Sequence, residues 1–238
     1  HKVTGSSRTY MGEESAGVMA IENAMRRIAA GQSSHALVGG AFNAERPDLI
    51  LSTELGHYAW RGAPTPIAER QKAGGGIVTG SSGAFVVMED GDHARARGAK
   101  PYARLSRVVA DLGPRDREST RRRVGDLIDR LQAPAGTPVL SGASGHAAVT
   151  DLEFELLREK LGPDVSIRAF NSLIGNPVEA NFPAAIALAA LAIYNGGFYP
   201  PFEDAEQPYA GGAPDAVVVS TIGHYRGEGF GLVERIRA

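Results

Sequence analysis

The side chains able to do chemistry in this sequence exclude more than they offer. Cysteine is absent from all 238 residues, which removes thiolate nucleophiles, disulfides and thiolate metal sites together. Ser144, His146 and Asp151 supply the side-chain types of a serine hydrolase, in which an imidazole held by a carboxylate activates a hydroxyl. They lie too close together in sequence to converge as a triad, and Gly142-Ala-Ser-Gly145 is not the Gly-x-Ser-x-Gly elbow that such chemistry uses. Gly80-Ser-Ser-Gly83 has the glycines of a phosphate loop but no Lys at the spacing a Walker motif needs, so close packing of a strand is expected of it. The six His are scattered, with no pair at ligand spacing, and neither a metal nor a cofactor site is expected. Glu13 and Glu14 precede an apolar helix and read as favourable first-turn charges.

The elements that would position these groups alternate along the chain. Val18, Ile21, Met25 and Ile28 recur at three- and four-residue steps, one apolar stripe on a helix that Gly31 ends. His35 to Phe42 is a short apolar run that suits a strand buried on both faces, and Gly76 to Glu89 suits another. Strands near 102–110, 138–142 and 165–171 then alternate with helices near 115–131, 150–161 and 179–194. This order predicts an α/β fold with mostly parallel sheets. Ala216 to Gly223 and Gly229 to Ile236 break the alternation as a hairpin. Asp90 to Lys100, charged and helix-prone after a strand, is the expected junction between two halves.

Composition narrows the partners. With 25 Lys+Arg against 27 Asp+Glu the net charge is −2, so no global field favours nucleic acid or an anionic membrane. Pro183 to Tyr194 is uncharged but shorter than the roughly 20 residues that cross a bilayer. It reads as a buried helix, and no membrane association is expected. No signal-peptide pattern opens the chain, and a cytoplasmic location is expected.

Gly80-Ser-Ser-Gly-Ala-Phe-Val-Val-Met-Glu89, followed by Asp92-His-Ala-Arg-Ala-Arg-Gly-Ala99 and Tyr102-Ala-Arg104, resembles the β-ketoacyl-acyl-carrier-protein synthase pattern of a glycine-rich strand ending in Glu, then "EHAxxRGAxxYAE". Ile28-Ala-Ala-Gly31 with Leu37-Val-Gly-Gly-Ala41 is similar to the family's "IxxGxxDxxLAGGAE". Phe170-Asn-Ser-Leu-Ile-Gly-Asn176 is similar to its "KSxxGH", and Tyr199-Pro-Pro201 to a later "PPT". The four matches fall in family order, from about residue 14 to the end. The resemblance implies a thiolase fold of two similar halves in five α-β-α-β-α layers, with the N-terminal half only partly present. Residues 1–100 would be the C-terminal part of that first half, and residues 101–238 the second half.

The same resemblance implies a catalytic set that this chain lacks. The family places a Cys at the N-terminus of a buried helix, where the dipole lowers its pKa; the matching position is Glu14, and a carboxylate cannot hold a stable thioester. Two family His that stabilise an enolate fall at Ser144 and Asn176, with Ala143 the other register for the first. The family Lys falls at Asn171. His146 is a candidate displaced base, or a loop His of no special role. The gate "GFGGTN" matches Gly223-His-Tyr-Arg-Gly-Glu228, which puts His224 at the gating Phe, and Gly74-Gly-Gly76 and Ser81 stand at "RDG" and a Glu.

The expected function is therefore that of a family member of fatty-acid or polyketide biosynthesis, non-catalytic or altered, that shapes an acyl tunnel. An active synthase with a displaced catalytic set and a Ser-His-Asp hydrolase are the alternatives. The implied partners are an acyl carrier protein and a second subunit, in a homodimer or in a heterodimer with an active synthase. Arg26-Arg27, Arg95 with Arg97, and Arg121-Arg-Arg123 are either solvated faces or docking sites for an acidic carrier.

Overall fold

The computed structural model describes residues 5–236. Helix α1 (Ser15–Ala29) buries Val18, Ile21 and Ala24 along one stripe, and Gly31 follows its C-cap in the left-handed region. It leads into β1 (His35–Phe42), α2 (Pro47–Leu55), α3 (Ile67–Lys72), β2 (Ser82–Glu89) and α4 (Gly91–Ala96). Then come β3 (Arg104–Asp111), α5 (Arg117–Leu131), β4 (Val139–Ser141), α6 (Ala147–Leu161), β5 (Ile167–Ala169) and α7 (Asn171–Ile174). A 3-10 turn (Val178–Ala180), α8 (Asn181–Asn195), β6 (Ala216–Ile222) and β7 (Glu228–Glu234) complete the order.

Five strands form one sheet in the order β3-β7-β6-β4-β5. Strand β4 pairs in parallel with β5 and β6, whereas β7 pairs antiparallel with β6 and β3. The sheet is therefore mixed rather than mostly parallel, because the β6–β7 hairpin and β3 close its other side. Along β6 the side chains alternate between two cores. Val218 and Ile222 join α5 and α6 on one face. Val217 and Val219 join α1 and α8 on the other.

Helices α1 and α8 lie between this sheet and the antiparallel pair β1–β2, whose Val38, Ala84, Val86 and Met88 complete the second core. The layers thus run α5/α6, five-stranded sheet, α1/α8, two-stranded sheet, which among the described residues is four of the five layers expected, in the same α-β-α-β order. The outer face of β1–β2 is solvent-exposed, with Leu37 at 71%, Phe85 at 60% and Val87 at 67%. This corrects the expectation that His35 to Phe42 is buried on both faces: among the described residues nothing covers its second face.

Other boundaries shift for local reasons. Residues 76–81 lie outside the strand and make only isolated bridges, Ala59 with Ile77 and Thr79 with Asn176, so β2 begins at Ser82. At Gly80 an added Cβ would strike the Ile174 carbonyl, which accounts for a glycine there. Strand β5 holds only Ile167 to Ala169, because Phe170 and Asn171 already turn into α7. The apolar run Val178–Asn195 spans 18 residues and is long and apolar enough, by length and composition alone, to cross a membrane. Phe182, Ala185 and Ala189 are nevertheless wholly buried inside the fold, as a core helix requires.

Candidate functional site

The chain turns that follow parallel strands β4, β5 and β6 meet at one end of the sheet, the usual place for a site in such folds. These are residues 142–146, 170–176 and 223–227, and the N-terminus of α1 points into the same place. Four sequence-predicted residues are brought together here. Glu14, immediately before α1, is wholly buried. Its Oε1 accepts a 2.8 Å hydrogen bond from Asn176 Nδ2. His224 Nδ1 lies 3.4 and 3.3 Å from its two oxygens. Asn176 is tied in turn by Asn181, whose Nδ2 donates to Asn176 Oδ1 at 3.1 Å and to the Gly142 carbonyl at 2.8 Å. Asn171 Nδ2 donates to the Gly142 and Ala143 carbonyls at 3.2 and 3.1 Å.

The electrostatics of this cluster follow from burial and pairing. Burial pushes the Glu14 carboxyl up, but hydrogen bonds from His224 and Asn176 bring it below the ordinary range. Burial likewise pushes His224 down, and Glu14 more than restores it, so the imidazole is raised. Each partner thus favours the charged form of the other, at a helix N-terminus that favours the negative charge. Glu13 is raised by burial, and its two oxygens accept the backbone N–H groups of Tyr225 and Arg226 at 2.7 Å each. Glu13 thereby clamps the β6–β7 turn. The expectation of first-turn charges gives way for both glutamates: they precede the helix and each makes a tertiary contact, which sequence position alone does not show.

His146 stands at the N-cap of α6, its Nδ1 buried without a hydrogen-bond partner. Burial and the nearby His224 charge lower its pKa. Tyr58 packs between the two imidazoles, with ring centroids 5.2 Å from His146 and 5.0 Å from His224. Tyr58 and Asn181 were missed in the sequence, where no motif marks them; Asn181 opens an Ala-rich helix whose other residues looked apolar.

The Ser-His-Asp reading is not assembled. Ser144 Oγ accepts the backbone N–H of His146 at 3.2 Å, and Asp151 accepts from Gln71 Nε2 at 2.9 Å. Ser144 and Ala143 are both buried, so burial leaves their register open. Gly76 does reach the site loop, donating to the Gly145 carbonyl at 2.8 Å. Ser81 instead accepts from Ala44 N and lies away from it. Among the described residues, Glu13, Glu14 and His224 offer ligand atoms within 4.8 Å of one another. Glu13 and Glu14 are engaged by Tyr225, Arg226 and Asn176, and we assign the group no metal. Much of the surface basicity is internally paired. Arg121 meets Glu155 at 2.6 Å and also Glu159, Arg123 meets Glu228 at 2.9 Å, Arg97 meets Glu89 at 2.6 Å and Arg26 meets Glu22 at 2.6 Å.

No family model matches the chain. It is 28% identical over 203 residues to the granaticin polyketide beta-ketoacyl synthase 2 of Streptomyces violaceoruber, a match covering 79% of this chain and 47% of that protein. The chain thus spans about half the length of the curated relative it matches. Among solved structures, an oxazolomycin ketosynthase domain of Streptomyces albus JA3453 superposes with a TM-score of 0.82 at 18% identity, covering 98% of this chain and 47% of that one. The ishigamide ketosynthase/chain length factor gives 0.78 at 19% identity, covering 98% and 61%. A type II polyketide synthase acyl-carrier protein in complex with its ketosynthase gives 0.78 at 20% identity, covering 98% and 64%. The chain therefore has the thiolase fold of the ketosynthases on which it superposes, is similar in sequence to a β-ketoacyl synthase of polyketide biosynthesis, and contains no cysteine.

Proposed function

We propose that the chain acts as a non-catalytic, chain-length-factor-like subunit that shapes an acyl tunnel beside an active synthase in fatty-acid or polyketide biosynthesis, in the cytoplasm. The observation that supports it is Glu14. The position matched to the family nucleophile carries a wholly buried carboxylate, fastened by Asn176 and His224 at the positions matched to a catalytic His and the gate. Acyl transfer through a side chain needs a nucleophile whose acyl adduct persists until the second substrate arrives. A carboxylate would give a reactive anhydride, and this one is held as an ion pair. The groups around it stabilise Glu14 rather than activate it.

On this reading an acyl carrier protein serves the partner synthase, which is consistent with how many arginines here are spent on internal ion pairs. Co-expression with a cysteine-containing synthase tests it. Equal amounts of the two chains should co-purify, and radiolabelled acyl groups should transfer only to the partner. Condensation by the purified chain alone, or a labelled acyl group covalently attached to it, would refute the reading.

A further inference from the structure

Outside the cluster around Glu14, Arg70 is a poorly compensated charge among the described residues. It lies on α3, is 1% exposed, and its Nε and Nη2 have no hydrogen-bond partner. Among the described residues no carboxylate oxygen comes within salt-bridge distance of it. Glu203 is the carboxylate whose charge acts on Arg70, yet its two oxygens already accept from Ala68 N at 2.9 Å and Ser172 Oγ at 3.0 Å. Burying a guanidinium is unfavourable unless an anion and hydrogen-bond acceptors compensate it. Arg70 carries that cost without an internal partner.

Arg70 is one of the residues around a cavity of about 260 Å³ between α3, residues 78–79 and α7, with its Nε and Nη2 buried behind the wall. At about 30 Å³ of liquid volume per water, that is the space of roughly eight or nine waters, enough for an anionic headgroup and a few carbons. Its wall is divided. Thr65 Oγ1 and Asn171 Oδ1 are buried polar atoms without partners, whereas Pro64, Val78 and Leu173 are apolar. Arg70 also abuts Gly145, where an added Cβ would come against its guanidinium, and Asn171 is shared with the loop that carries Ser144. The cavity therefore adjoins the candidate site but uses different charges.

We infer that this cavity binds the oxyanion head of a small organic ligand, a carboxylate or a phosphate monoester, on Arg70, with the apolar part of the ligand along Val78 and Leu173. The planar guanidinium fork suits bidentate recognition of either headgroup. Thr65 supplies a hydroxyl donor for a further oxygen. The inference does not depend on the subunit reading above, since a ligand site of this kind serves an active or an inactive chain equally.

Thermal unfolding of the purified chain, titrated separately with inorganic phosphate and with butyrate against sodium chloride at matched ionic strength, tests it. At least one oxyanion should raise Tm along a saturating curve that chloride does not reproduce. The arm that responds identifies the headgroup. Arg70→Gln should weaken that binding on the order of tenfold or more, the loss expected of hydrogen bonds to a charged group. Arg70→Lys, which keeps the charge without the fork, should retain part of it. If wild-type Tm follows ionic strength alone, or if Arg70→Gln responds as wild type does, the site does not exist as inferred. Should Arg70→Gln fail to fold, the wild-type titrations and Arg70→Lys decide.

Discussion

Replacing Glu14 by Ala probes the buried pair directly. The substitution removes the acceptor of the 2.8 Å bond from Asn176 and the counter-charge of His224, both inside the protein. Breaking a buried ion pair costs about 3–5 kcal/mol when the remaining charge is trapped. His224 can escape by losing its proton, which lowers the expectation to about 3 kcal/mol at pH 6. For a chain of this size that is roughly 6–12 °C in Tm.

The pH dependence carries the sharper test. Glu14 is lowered in the fold, so its contribution is present above the unfolded carboxyl range and is lost as pH falls through the folded value. His224 is raised, so its contribution is full below the ordinary His range and is lost as pH rises through its folded value. The penalty of Glu14→Ala should therefore be greatest between about pH 5 and 6.5 and shrink towards pH 9. Urea unfolding of both proteins at pH 5.5, 7 and 9, with coincident fluorescence and circular dichroism transitions, measures it. A penalty below about 0.5 kcal/mol, or one that does not change with pH, would refute the paired description.

Three further outcomes are expected. Glu153 is wholly buried, its Oε1 accepting from Ser141 and Ser220 at 2.6 Å each while Oε2 has no partner, and burial raises its pKa. Its neutral form stabilises the fold fully below the ordinary carboxyl range and loses that contribution as pH rises through the raised value. Glu153→Gln should thus be the less stable protein at pH 4 and gain on wild type by pH 9, and a constant gap in urea midpoint would contradict this. Val178 holds φ +43 two residues after the site residue Asn176, a conformation that costs a β-branched residue about 1–2 kcal/mol. Val178→Gly should raise stability by about 1 kcal/mol in the same assay, and a loss of that size would show the backbone is unstrained. Glu228→Ala removes the buried acceptor shared by Arg115 at 2.6 Å and Arg123 at 2.9 Å, and should cost about 3 kcal/mol by calorimetry. A change near zero would show that water replaces the carboxylate.

Residue order alone was sufficient for the alternation of strands and helices, the closing hairpin and the likeness to the condensing enzymes. Those features depend on local periodicity and on short motifs whose spacing survives in the chain. The absence of a thiol needs no structure at all. Residue types also marked Glu14, Asn176 and His224 as positions of interest, but only by comparison with a family pattern.

Tertiary structure decided what those residues do. Glu14 looks like an ordinary first-turn acid until the turns after β4, β5 and β6 close over it, because its partners lie far away in sequence. Arg70 and Asn181 carried no signal, since neither burial nor the lack of a partner is a property of a residue's neighbours along the chain. The exposed face of β1–β2 was misread for the same reason. An apolar strand has one appearance in sequence whether one face or both are covered, and only the packing of α1 and α8 against a single side shows which.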